Sequence, residues 1–348
     1  FDERHWQIIE NYAKTAVKNG VNMLLTPIFT PALDTAVGRE RPTTQLVDVQ
    51  LQDGVYTFGF EKLGRWVDMC DRIGVQYLEI AHFFTQWGAE HAPKVMATVD
   101  GEYRRIFGWD TDAAGEEYGA FLQALIPTLL AFLREKNGWD KRCFFHISDE
   151  PSEEHLPQYA AARAQVTALL RGYPIMDALS NYEFYERGVV DIPVAATDHI
   201  EPFLAHKVEG LWCYYCVGQS KKVSNRFVAM PSARNRILGA QMYKYGIAGF
   251  LHWGYNFYFS QFSMETVNPL VITDGDYFAP AGDTFSVYPA PDGTPYASLR
   301  LEVFHDGLQD MRALALCENL YGRDYTLQLL EQDTDGITFS EYPRDGAF

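Results

Sequence analysis

The sequence has no run of about 18 apolar residues, so no stretch of it reads as a membrane-spanning helix. Positive charge is scarce: 29 Lys and Arg stand against 46 Asp and Glu, giving a net charge of −17. Nucleic acid is therefore not an expected partner, because neutralising phosphates takes Lys and Arg. Docking to an anionic lipid surface is disfavoured for the same reason. Cysteine is sparse, with five residues at 70, 143, 213, 216 and 317. An odd, scattered set builds no disulfide framework. Cys213 and Cys216 have C-x-x-C spacing without a second pair and read as buried strand residues. No H-x-H, H-E-x-x-H or clustered ligand spacing occurs, so no metal is expected. No glycine-rich phosphate fingerprint follows any strand, so no cofactor is expected. No secretory leader is visible within the sequence, which starts at Phe rather than Met. The expected compartment is the cytoplasm, with the natural start upstream of Phe1.

Aromatic residues are abundant at 15%, with 21 Tyr, 23 Phe and 7 Trp. Rings of this kind fill a large core, and they also stack on flat sugar faces.

Strand and helix patterns alternate along the chain. HWQIIENYAKTAVKNG (5–20) has helical spacing and a glycine stop, and VNMLLTPIF (21–29) reads as a buried strand. LVDVQLQDGVYTFGF (46–60) is a hairpin turning at Asp53-Gly54. Helix 61–74 precedes strand 75–83, and helix 115–138 precedes the strand CFFHISDE. Helix 152–172 then leads to short strands at 174–181 and 189–199. Strands 209–218 and 247–256 flank helix 230–246, and a helical region covers 297–322. The segment from Phe84 to Asp112 carries few regular signals. Short buried strands separated by helices indicate a parallel sheet with crossovers. The expected fold is α/β, a (β/α)8 TIM-like barrel lacking its first strand, as a single catalytic domain over residues 1–348.

In CFFHISDEPSEEHL (143–156), an apolar run ends in Asp149 and Glu150, and Pro151 follows. Neighbouring residues on a strand face opposite ways, so the two acids can share a task only if the strand stops there. Pro151 cannot extend the ladder, and Ser152 with Glu153 and Glu154 opens a helix. In a barrel, strand C-terminal ends form the active-site rim. One reading gives both carboxylates to that rim; the other makes Glu150 a helix cap and Asp149 a paired core acid. Further strand ends supply His82, Gln86 and Trp87; Asn181 and Tyr182; Asp198 and His199; Trp212, Tyr214 and Tyr215; and His252, Trp253 and Asn256. Together they suit a pocket that stacks a ring and bonds hydroxyls. Most retaining glycosidases hold two carboxyl groups about 5 Å apart on either side of the scissile bond, and inverting enzymes hold them farther apart. Consecutive residues fit neither arrangement. They fit substrate assistance, where a 2-acetamido oxygen attacks the anomeric carbon. One carboxyl then protonates the leaving oxygen and its neighbour orients the acetamido N–H.

SDEP after a buried strand, GFLHWGYN, and GDTFSVYPAPDG with ASLRLEVFHDGLQD resemble glycoside hydrolase family 123 and the related domain-of-unknown-function family 4091. LLTPIFTPALDTAVGRERPTTQLVDV and HFFTQWGAEHAPK are similar to the same group. The resemblance implies a retaining exo-β-N-acetylhexosaminidase, foremost a β-N-acetylgalactosaminidase, using substrate-assisted catalysis. Its partner would be a glycan or glycoconjugate with a terminal β-N-acetylhexosamine. It makes Glu150 the general acid/base and Asp149 the residue that polarises the acetamido group. Trp253 would line the sugar pocket, and Tyr214 would bond the acetamido oxygen. Strand-end position adds His82, Trp87, Asn181, Trp212, Tyr215 and Asn256 as substrate contacts. Relatives often carry a β-sandwich before the barrel, and here it is expected to be absent. The alternatives are a glycosidase for another sugar, a non-catalytic carbohydrate-binding barrel and a metal-dependent hydrolase.

Overall fold

The computed structural model describes residues 1–344, and the chain forms two compact units. One comprises 21–192 and 262–264; the other comprises 1–20, 193–261 and the chain from Glu265.

In the first unit, the strands Met23–Thr26, Tyr77–Ile80 and Cys143–Phe144 pair in parallel, with Glu79 beside both Leu25 and Phe144. A parallel bridge between Phe145 and Ile175 continues the pattern toward the strand Met176–Leu179. All four residues of that last strand are buried. Helices join these strands, as parallel connections require. Glu61–Ile73 buries Leu63, Val67 and Cys70 at helical spacing, and Gly74 ends it with φ of +91°. That left-handed cap suits glycine. Helix Glu116–Glu135 runs unbroken through Pro127 and buries eight apolar side chains from Tyr118 to Leu133. Burying one such side chain contributes about 1.5–3 kcal/mol, which holds the helix to its sheet.

The expected hairpin exists as Asp48–Gln52 and Val55–Gly59, with Asp53 and Gly54 at positive φ. The segment thought irregular contains another. Val95–Val99 and Glu102–Phe107 pair antiparallel around Asp100 and Gly101, both at positive φ. Parallel pairing of Gln50 and Leu51 with Thr98 and Val99 unites the two hairpins in one four-stranded sheet.

In the second unit, the strand Trp212–Tyr214 pairs in parallel with Ile192–Ala196 on one side and Gly249–Leu251 on the other. The strands expected over 209–218 and 247–256 thus contract to three residues each. The fold is mixed α/β with parallel sheets. Among the described residues, no helix is long and apolar enough to cross a membrane.

Two glycines let helices Leu238–Tyr245 and Leu299–Tyr321 touch backbone to backbone. A Cβ at Gly239 would lie 1.8 Å from the Gly307 carbonyl oxygen. We expect Gly239→Ala to cost about 1–3 kcal/mol or more by forcing the helices apart. Urea unfolding checks this, and an unchanged midpoint would show that the contact has slack.

Candidate active site

The acid pair leaves the strand geometry as the sequence requires. Regular pairing ends at Phe144, but hydrogen bonds carry the chain onward. Phe83 N–H donates to the His146 carbonyl at 3.2 Å and Phe84 N–H to the Ile147 carbonyl at 3.0 Å. The Asp149 carbonyl accepts the Trp87 N–H at 2.8 Å, and Glu150 N–H donates to the Ala178 carbonyl at 3.0 Å. Glu150 sits at φ of +43°, in the left-handed region. A residue turned this way breaks the pleat, so its side chain no longer points opposite to its neighbour's. Both acids are partly exposed, at the end of the wholly buried run Phe145–Ser148. Pro151 is buried, and Ser152 caps the 3₁₀ turn Glu153–His155 through a reciprocal pair of bonds with His155.

A buried ion cluster lies just upstream. His146 is fully buried, with Nδ1 3.0 Å from Asp177 and Nε2 3.2 Å from Glu79. Asp177 also accepts the N–H groups of Ile147 and Ser148 and the Tyr159 hydroxyl. Burial disfavours a charged His146, but hydrogen bonds to Asp177 and Glu79, and then their charges, outweigh it and push its pKa up to about 10. The two carboxyls thus favour the protonated ring. His82 stacks on it, ring centroids 4.2 Å apart, and burial followed by the His146 charge holds His82 well below its usual range. Burial and then the Glu150 charge lift the Asp149 carboxyl well above its usual range, with His146 opposing.

Glu79, His82 and His146 place candidate ligand atoms within 4.8 Å of one another, the kind of set that can hold a metal. The geometry fits an ion pair better. The two imidazoles lie nearly parallel at 25°, so their in-plane lone pairs run side by side rather than converging on one point. The side of His146 that faces Glu79 is already engaged.

The third feature is a strained segment. Trp87, Gly88 and Ala89 all have positive φ, at 60°, 135° and 57°. At Gly88 a Cβ would lie 2.9 Å from the His155 ring, so glycine is needed for both conformation and space. Trp87 remains 42% exposed, its ring edge-on to Phe262 at 5.9 Å. An exposed indole of this kind can offer a flat face to a sugar ring. Phe262 and Ser263 are left-handed as well, and the Ser263 hydroxyl donates to the Asp34 carbonyl at 2.8 Å.

The first unit thus holds Asp149, Glu150, Trp87 and, beneath them, His82. Asn181 belongs to it too, but its Oδ1 accepts the Glu183 N–H at 2.8 Å, which opens a short helix.

The other candidates belong to the second unit. Tyr215 is buried, its hydroxyl donating to Asn235 at 3.1 Å, and Tyr214 is buried beside it. Trp212 lies over Gly249, where a Cβ would come within 2.3 Å of the indole. Asn256 is exposed, bridged to Phe285. Trp253 is partly exposed and fixed by its Nε1–H donating to Asp283 at 2.9 Å. Arg226 donates to His252 Nδ1 at 2.9 Å and to the Asp283 carbonyl at 3.1 Å, bracing that anchor. Burial and then the Arg226 charge lower the His252 pKa to about 4.

Sequence reasoning missed Asp177, His146, Glu79, Asp283 and Arg226. The first three had a signal, each being a lone charged residue inside an apolar strand.

The model of the family described as glycoside hydrolase 123, catalytic domain, matches residues 1–317. A solved family 123 glycoside hydrolase from Clostridium perfringens, studied for glycolipid glycan hydrolysis, is similar in fold, with a TM-score of 0.70 and 14% identity. The alignment covers 94% of this chain and 57% of that one, so the chain spans just over half of that protein's length. A family 5 mannosidase from Rhizomucor miehei aligns at a TM-score of 0.45 and 11% identity, over 88% of each chain. No curated protein matches the chain.

With its pKa raised, His146 contributes stability that is fully present below about pH 6.5 and is lost as pH rises toward about 10. The melting-temperature gap between the protein and His146→Asn should be widest below pH 6.5 and close toward pH 10. A gap independent of pH would mean His146 is neutral in the fold.

Proposed function

We propose that this chain, which belongs to glycoside hydrolase family 123, is a retaining exo-β-N-acetylhexosaminidase, foremost for β-linked N-acetylgalactosamine. Family membership makes it a glycoside hydrolase, and the sugar and mechanism are our reading. The observation that carries it is the turn at Glu150, whose φ of +43° frees two consecutive carboxyls to serve one substrate. Both stem from one point on the backbone, so they cannot flank a glycosidic bond as the usual pair does. The nucleophile is then the substrate's own acetamido oxygen. We read the parallel strands as those of a (β/α)8 barrel, and the chain as its catalytic domain.

In this mechanism the pair shares one proton. In the empty site burial favours Asp149 as its holder. An acetamido N–H donating to Asp149 stabilises the ionised form, leaving the proton with Glu150 for the glycosidic oxygen. The acetamido oxygen closes on the anomeric carbon to give an oxazolinium ion, and Asp149 balances its charge. Glu150, now a base, activates water to open that ring, and the anomeric configuration is retained. Trp87 supplies the stacking face.

The raised Asp149 favours a second reading, in which Asp149 is the donor and Glu150 orients the acetamide. One pair of variants separates the two. Under our assignment Glu150→Gln should lose about 10²–10⁴-fold activity on natural linkages and far less on activated aryl glycosides. Asp149→Asn should lose activity on both and also weaken binding of a thiazoline that mimics the oxazolinium ion. The reversed pattern would exchange the roles. A wild-type protein that binds no thiazoline would rule out acetamido assistance.

A further inference from the structure

The first unit contains a cavity of about 340 Å³ that Asp149 and Glu150 do not line. Its walls are the stretch from Thr30 to Arg41, Lys94 and Arg105, and the turn Gly108–Asp110 with Trp109. The volume falls in the range of small-molecule sites, about 300–1,000 Å³.

The cavity's charge runs against that of the chain. In a protein of net −17, Arg39, Arg41, Lys94 and Arg105 line it against only Glu40 and Asp110. Both acids are answered: Glu40 pairs with Lys94 at 3.0 Å and Arg105 at 2.9 Å, and Asp110 pairs with Arg105 at 2.5 Å. Arg39, at the exposed rim, adds positive charge beyond that network. The Arg41 charge faces that of Asp34. The Arg41 guanidinium donates to the Leu33 carbonyl at 3.2 Å, and the Arg41 carbonyl accepts from Lys94 at 3.1 Å, so this stretch is held in shape. Guanidinium forks suit carboxylates and sulfates, which they grip through two parallel bonds. Trp109, ring centroid 5.7 Å from that of His91, adds an apolar face among these charges.

The cavity is also tied to the acid pair. Gln86 accepts the Asp34 N–H at 2.5 Å and donates to the Thr35 carbonyl at 3.1 Å, fixing one wall. Ala92 N–H donates to the Thr111 carbonyl at 3.1 Å, fixing the other. Between those two anchors lies Trp87, whose N–H holds the Asp149 carbonyl at 2.8 Å. One segment thus braces both walls and the catalytic turn.

We infer that this cavity binds an anionic sugar unit, bearing a carboxylate or a sulfate ester, so that the natural substrate is an acidic glycan. The link to a substrate rests on the glycosidase reading above; the binding itself does not. The unit is held away from the bond that is cleaved.

The test is calorimetric titration of the full chain with glucuronic acid, galactose 6-sulfate, galactose and inorganic sulfate, at low and high salt. We expect at least one of the two anionic sugars to bind about 10-fold or more tightly than galactose and inorganic sulfate, and more weakly at high salt. Which of the two it is identifies the acidic group. Arg39→Gln, at the exposed rim, should weaken that binding about 10-fold while melting as the parent does, and Arg41→Gln should weaken it at least as much. Equal affinity for galactose and both anionic sugars, or no binding of any, overturns the inference. Inorganic sulfate binding as tightly as the sugars overturns its sugar part. No turnover is read, so a chain inert on β-N-acetylhexosaminides that still selects an anionic sugar would lose the catalytic reading and keep this one.

Discussion

Asp177 is the constraint on which the acid pair depends. A carboxylate with no exposure is costly unless donors surround it. Here the donors are the His146 ring, the N–H groups of Ile147 and Ser148, and the Tyr159 hydroxyl. Three of those four partners are consecutive residues that run directly into Asp149. The path of the chain into the pair is therefore set by one buried anion on the neighbouring strand. His146 returns the favour by bringing a positive charge, which Glu79 shares from the other side. The cluster is satisfied only as a whole, because removing one member leaves a charge buried without its counterpart.

That rigidity is what lets the backbone beyond it hold unfavourable angles. Asp34, Trp87, Ala89, Glu150, Phe262 and Ser263 are non-glycine residues with positive φ, all in the first unit and joined by direct contacts or short stretches of chain. Each such conformation costs on the order of 1–3 kcal/mol and persists only where the surroundings over-determine it. The surroundings do so here: Trp87 is pinned by Asp149, Gly88 packs on His155, Ser263 bonds to Asp34, and Gln86 stitches that loop down. Strain gathered this way buys side-chain directions that strands and helices do not offer.

The parts of this arrangement written in local chemistry were legible in the sequence. The glycine that ends the helix before Val75, the Asp53-Gly54 turn and the proline after the acids each act through one or two residues, and each is where the pattern put it. The turn at Asp100-Gly101 carried the same signal as Asp53-Gly54 and was missed, because the strand that follows it lacks the apolar density of a buried strand. The strand is instead half solvent-facing, with Glu102, Tyr103 and Arg104 exposed. The buried cluster was harder. Asp177 and His146 are 31 positions apart, and nothing in either neighbourhood names the other. What a sequence offers there is only an anomaly, a charge inside an apolar run, and such a charge must find its opposite somewhere in the fold. Asn181 shows the reverse case: its strand-end position suggested a ligand contact, but a nearby helix start uses its oxygen.

The adjacency of the two acids then restricts the chemistry open to the site. Consecutive Cα atoms are about 3.8 Å apart, so both side chains reach out from nearly the same place. Two carboxyls placed on opposite sides of a glycosidic bond need separate supports on separate strands. Here both stem from one stretch of backbone, tied down by the Trp87 N–H on the Asp149 carbonyl and by the Glu150 N–H on the Ala178 carbonyl. A site built this way can address one side of one sugar, where a leaving oxygen and a 2-substituent lie close together. It cannot also hold an enzyme nucleophile beneath the ring with the same pair. In the proposed mechanism the attacking atom is the oxygen of the substrate's own 2-acetamido group. The left-handed turn at Glu150 thus connects backbone to mechanism: without it the pleat would send the second carboxyl away from the first, and no sharing of one sugar would follow.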